Sequence, residues 1–247
     1  MICDHTIRLI ICYYPLVMNS EKRINFFGIL RDTARKQSAS IHLLYKHVKL
    51  SPTKGDWDNV LRHQLVQFAA AEILGEWLGL GSHEMGQFQK VALVHNWNLR
   101  LERRPQDFTP DEIKEAQMFF DSFGVDPKLR LATVPEFIEK MVMYPEKVTL
   151  EEKIQYYLDD IVAGQNIVPF KERIAEVESR RQDLNEDDEL TRKLGGRKYW
   201  DAEREVGILI EKELFERLLA QGIDVSAPEL IPVTLRIELE KKHGCRS

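Results

Sequence analysis

The chain has 247 residues, 43% of them hydrophobic and 30% charged, with a formal net charge of −5. That length and apolar share suffice for one sizeable core, as one domain or one domain with an extension. The acidic balance argues against a nucleic-acid binder. The three cysteines (Cys3, Cys12 and Cys245) argue against a disulfide framework or a thiolate zinc site, and no apolar run approaches the ~20 residues of a membrane span. A reducing, cytoplasmic setting is the expectation.

Residues 1–17 carry Asp4, His5 and Arg8 early, Pro15 within the apolar part, and no small-residue cleavage site. This argues against a signal peptide. Met18 opens Met-Asn-Ser-Glu-Lys-Arg, an ordinary soluble start, so 1–17 is expected to be an over-long reading frame outside the fold rather than a true leader. Leu9–Tyr14 is a weak β-prone run.

From Trp57 to Leu80 apolar residues fall on nearly every face, including Val60, Leu61, Leu65, Phe68, Ile73 and Trp77. A helix apolar all round is a central, buried one, and Gly79 and Gly81 end it. Residues 84–99 read as a second buried helix. Thr109-Pro110-Asp111-Glu112 is a helix start: an N-cap threonine, proline at the first position, then acids at the positive end of the dipole. That helix runs to Phe123, with Gly124 as its stop. Thr133 is expected to cap a short helix ending at Met143.

Thr149-Leu150-Glu151-Glu152 is a capping box, with a helix expected to Ala163 and Gly164 as its stop. A further helix spans 169–182. Asp183–Arg197, with its acidic run Asn185 to Glu189, reads as a solvated connection. Tyr199–Ala220 is a long helix with Gly222 as its C′ residue, and 226–242 gives the last one. The wide apolar side of Tyr199–Ala220 is expected to pack within the chain. Lys193, Arg197 and Lys198 read as solvated residues rather than a phosphate clamp. With no strong strand alternation and no fixed-period repeat, the fold class is all-α.

Seven histidines are present. His5, His42, His47, His83 and His243 read as surface or loop residues. His63 and His95 each sit in an otherwise apolar helix, where a lone histidine is ordinarily a hydrogen-bonded core residue. Two on consecutive helices can face each other and share a metal, with a carboxylate from a third helix completing the set. Asp159 and Asp160 are both available, and periodicity at about 3.6 residues per turn does not choose between them.

These residues resemble the HD-domain superfamily of metal-dependent phosphohydrolases. Asn59-Val60-Leu61-Arg62-His63 resembles the family's first motif, Leu93-Val94-His95-Asn96-Trp97 its His-Asp doublet, and Glu151 to Asp160 its last motif. Ile167-Val168-Pro169-Phe170-Lys171-Glu172-Arg173 resembles the family's continuation into the next helix. The match covers roughly residues 40–182 and implies an HD-like helical domain over 18–182, with 183–247 as a connection and C-terminal helices packing on it. It implies a metal set of His63, His95, Asn96 and Asp159, assigning Asp159 over Asp160. The implied cofactor is a divalent metal (Mn, Fe, Zn or Mg), and the implied ligand a small phosphorylated molecule or nucleotide.

The sequence departs from the family at two places. Asn96 stands where the family has aspartate, and a neutral amide coordinates only through its carbonyl oxygen, far more weakly. Asn98 and Leu99 replace a common Gly-Lys, removing a phosphate-binding lysine. Arg100, or Arg103 and Arg104, could replace that lysine, although an exposed basic helix end answering the dipole is the plainer account. The catalytic candidates are therefore Asn96 and Arg100. Two readings stay open: a mononuclear phosphohydrolase with a weakened metal site, or a catalytically degenerate scaffold that binds a nucleotide or a protein partner.

Overall fold

The computed structural model describes residues 58–96, 109–127, 129 and 135–243, together with Gly28, Ile29 and Asp32. The fold is all-α. The helices are α1 (Asp58–Trp77), α2 (Ser82–Val94), α3 (Pro110–Phe123), α4 (Pro135–Met143), α5 (Leu150–Ile161), α6 (Phe170–Arg180), α7 (Asp183–Glu186), α8 (Asp188–Lys193), α9 (Tyr199–Ala220) and α10 (Ile231–His243). Short 3-10 turns at Pro145–Lys147 and Pro228–Leu230 precede α5 and α10. No helix among the described residues is long and apolar enough to cross a membrane.

The helix punctuation follows local chemistry. Gly79 takes a left-handed φ of 67° after α1, its N–H donates to Glu76 O, and Leu80 N–H reaches back to Gly75 O. This pair of bonds satisfies carbonyls that the helix end leaves open, at a φ that glycine adopts without a Cβ clash. The chain then reverses into α2, so α1 and α2 run antiparallel against each other. At the start of α5 the capping box is complete: Glu152 N–H donates to Thr149 Oγ1 at 3.3 Å, and Thr149 N–H donates to Glu152 Oε2 at 2.8 Å. Glu152 also accepts from Lys140 Nζ at 2.6 Å, tying α4 to that cap.

Four expectations are corrected. α5 ends at Ile161, two residues early, because Val162–Ala163 pairs with Asn166–Ile167 in a small antiparallel hairpin. Gly164, at φ 60°, serves the hairpin turn rather than a helix stop. The polar connection is not a plain loop: α7 and α8 lie within it, α8 is capped by the Asp187 side chain on Leu190 N–H, and Leu194 is fully buried. His243 is buried, and its Nδ1 lies 3.0 Å from Asp32 Oδ2. His83 is exposed, on the first turn of α2. The N-cap Thr133, residues 1–17 with their β-prone run, His5, His42, His47 and the three cysteines lie outside the described residues.

α1 is the central helix, packed by α2, α5, α10 and the hairpin. α5 lies between α1 and α2 on one side and α6 and α9 on the other. Phe68, Phe88, Phe137, Tyr157 and Phe170 are among the fully buried side chains of the core. α9 packs on α4, α5 and α6, so the C-terminal helix pair closes the core from within the chain. α9 comes so near α6 that a Cβ at Gly207 would overlap the Phe170 ring.

Candidate metal centre

The antiparallel α1–α2 pair brings the first turns of α1 beside the end of α2. His63, in the second turn of α1, therefore meets His95, the C-cap of α2. Asp159, in the last turn of α5, reaches the same point. His63 Nε2 lies 3.1 Å from His95 Nε2 and 2.9 Å from Asp159 Oδ1, and His95 Nε2 lies 3.0 Å from that oxygen. The side chains of His63, His95 and Asp159 are 10%, 3% and 23% exposed. Asp160 turns to the other flank, towards Tyr156 and Glu203.

Hydrogen placement in this triangle is constrained. His95 Nδ1 lies 3.2 Å from the carbonyl oxygens of Val91 and Ala92, so Nδ1 carries a hydrogen. In the neutral ring, Nε2 then keeps a lone pair that faces Asp159 Oδ1. Burial pushes the His63 pKa down, against the upward pull of Asp159, which favours the neutral imidazole. Burial pushes Asp159 up, but its pairing with His95 and His63 prevails and holds it below the usual carboxylate range. His63 Nε2, His95 Nε2 and Asp159 Oδ1 thus converge, and a shared hydrogen or a cation between them relieves the repulsion of their lone pairs.

Asn96 joins the cluster. Its Nδ2 lies 2.6 Å from His95 Nε2. An amide turned over by 180° puts Oδ1 in the same place, so the side chain can offer its oxygen to the centre of the triangle. The structure therefore brings His63, His95, Asn96 and Asp159 together. Arg100 lies outside the described residues, as do Leu99, Arg103 and Arg104. Lys193, Arg197 and Lys198 are engaged elsewhere, with Glu189, Glu205 and the Asn185 carbonyl.

Two arginines lie near the centre, Arg62 beside His63 in sequence and Arg173 in space. Arg62, adjacent to His63, donates from Nη1 to Gln165 Oε1 in the hairpin turn at 2.8 Å. Arg173, in the first turns of α6, bonds Glu176 through Nη1, and its charge bears on both His63 and Asp160. Sequence reasoning passed over both as site residues, although each lies inside a stretch it singled out. Glu203 was missed altogether. It is 3% exposed on α9, accepts from Tyr156 Oη at 2.8 Å, and carried no sequence signal beyond being an acid in an amphipathic helix. Comparison of the chain with protein-family models, with curated proteins and with solved structures found no match.

Proposed function

We propose that the chain is a divalent-cation-dependent phosphohydrolase of the kind the HD-domain resemblance implies, with a weakened metal site. His63, His95 and Asp159 hold the cation, and Asn96 is a neutral fourth donor. The observation that carries this reading is the convergence of three lone-pair atoms within 3.1 Å of one another, drawn from three helices. Two imidazoles and a carboxylate are a donor set that binds first-row divalent metals.

When bound, such a cation acts as a Lewis acid that lowers the pKa of water and polarises a phosphoryl oxygen. The chain's own residues do the rest. His63 gives up its Nε2 hydrogen, and Asp159 stays ionised and supplies the negative charge. Arg173 brings positive charge near His63, which suits a phosphate group.

A second reading has its own observation. Asn96 brings no charge to the one position beside His95 where the family has aspartate, and this favours a scaffold that binds a nucleotide or protein partner without turnover. Hydrolysis of phosphomonoester and phosphodiester substrates, nucleotides included, with added Mn2+ separates the two. The phosphohydrolase reading expects wild-type activity that His63→Ala abolishes. Activity in Asn96→Asp and none in wild type leaves the scaffold standing. Release of phosphate unaffected by His63→Ala would sink the assignment of the site.

A further inference from the structure

His63 and Asp159 each stand one helical turn from a buried glutamine. Gln67 follows His63 by four residues on α1, and Gln155 precedes Asp159 by four on α5. At that spacing two side chains share one face of a helix. Gln67 therefore lies on the face of α1 that carries His63, and Gln155 on the face of α5 that carries Asp159. Both steps lead inward. The side chains of His63 and Asp159 are 10% and 23% exposed, whereas Gln67 and Gln155 are 0% exposed. The two carboxamides thus lie on the core side of the His63–His95–Asp159 triangle.

Neither carboxamide has a partner. Gln67 Nε2 and Oε1 and Gln155 Nε2 and Oε1 are all buried and make no hydrogen bond among the described residues. A carboxamide works in both directions, with an NH2 group that donates and an oxygen that accepts. Burying one without new bonds costs more than an ordinary hydrogen bond contributes, so buried polar groups are satisfied with few exceptions. Inverting either amide exchanges its nitrogen and oxygen and leaves the same need. The neighbours in sequence do not meet it: Val66, Phe68, Ile154 and Tyr156 are at most 3% exposed, and three of them are apolar. A nucleobase or a sugar needs more room than a sealed helix interface gives. Water is small enough, and it offers each carboxamide both a donor and an acceptor.

We infer that Gln67 and Gln155 form a binding site for a buried water molecule, hydrogen-bonded to both carboxamides on the core side of the triangle. An internal water makes about three hydrogen bonds to polar groups that otherwise lack them, and the carboxamide atoms of Gln67 and Gln155 supply that number. The inference goes beyond the cation reading and stands without it, because it rests on unpartnered amide atoms alone. It gives the site a hydrated inner wall, where leucine or methionine at the same positions would give a dry one.

The test joins diffraction from crystals of the full chain to oxygen-17 relaxation dispersion of water, which counts long-lived internal waters in solution. Diffraction is expected to show a water within about 3.2 Å of a side-chain nitrogen or oxygen of both Gln67 and Gln155. Carboxamides bonded to each other or to other protein groups, with no water between them, overturn the inference. In solution, the double variant Gln67→Met/Gln155→Met keeps side-chain length and removes the polar atoms. It is expected to lose at least one long-lived water relative to wild type. An unchanged dispersion overturns the inference, and a higher melting temperature beside it would mean that the amides are simply unpaired in wild type. If the double variant shows no cooperative melt, Gln155→Met alone takes its place, with the same two outcomes. Loss of the water in a chain that binds no Mn2+ supports this inference and removes only the cation reading.

Discussion

Asn96→Asp is the substitution that bears most directly on the proposed chemistry. It changes one amide to a carboxylate of nearly the same shape, at a side chain 2.6 Å from His95 Nε2. Two unit charges ~4 Å apart interact by about 4 kcal/mol at an effective dielectric of ~20, and a dication doubles that. Desolvation of the new carboxylate and loss of the amide dipole offset more than half, leaving a net gain of about 3 kcal/mol, or about a hundredfold in Kd. Without metal, the new charge sits beside Asp159 in a half-buried site, so the apo protein is destabilised. The assay is the thermal shift on adding Mn2+ at the wild-type Kd. Ligand at that concentration stabilises wild type by about 0.4 kcal/mol and the variant by about 2.7 kcal/mol. For a chain of this size the variant's shift then exceeds that of wild type by roughly 5–9 °C. Equal shifts in the two proteins would refute the placement of Asn96 in the coordination set.

Three further outcomes follow from the packing and the caps. Gly207→Ala is expected to destabilise by about 2 kcal/mol or more in urea melts, despite a helix-propensity gain of up to ~1 kcal/mol, because its Cβ would overlap the buried Phe170 ring. An unchanged midpoint would show that α9 can slide on α6. Thr149→Ala removes the acceptor for Glu152 N–H and should cost about 1 kcal/mol in the same experiment. Glu211→Gln tests a buried charge. Burial raises the Glu211 pKa against the opposing hydrogen bond from Tyr157, so folding favours the protonated acid. Its contribution is therefore complete below the unfolded carboxylate pKa and is lost as pH rises through the folded one. The melting temperature of the variant relative to wild type should rise between pH 4 and pH 7, and a pH-independent difference would contradict that sign.

Helices were legible wherever their ends carry local chemistry. The capping box at Thr149, the glycine stops at Gly79, Gly124 and Gly222, and the boundaries of Tyr199–Ala220 all depend on residues within one turn. The α5 terminus was not legible, because Val162 and Ala163 continue an apolar helical pattern, and only pairing with Asn166–Ile167 turns them into a strand. The helices at Asp183–Glu186 and Asp188–Lys193 were hidden by an acidic run that reads as solvent-facing. Trp200 and Asn185 anchor that segment from afar, through Trp200 Nε1 on Arg181 O and Trp200 N–H on Asn185 Oδ1. His243 could not be read as buried, since its partner Asp32 is 211 residues away.

At the site, spacing alone proposed two facing histidines on consecutive helices. It could not separate Asp159 from Asp160, which flank the same apolar stripe. That choice depends on what α9 brings to the other side. Glu203 and Tyr199 occupy the Asp160 flank and leave Asp159 to face the imidazoles. A contact between residues 160 and 203 has no signature in either segment alone.

The most direct test of the central claim is anomalous diffraction at the manganese edge from crystals grown with Mn2+. The account predicts one peak per chain, about 2.1–2.2 Å from His63 Nε2, His95 Nε2 and Asp159 Oδ1. Crystals in which His63 still hydrogen-bonds Asp159, with no peak between them at saturating Mn2+, would contradict it.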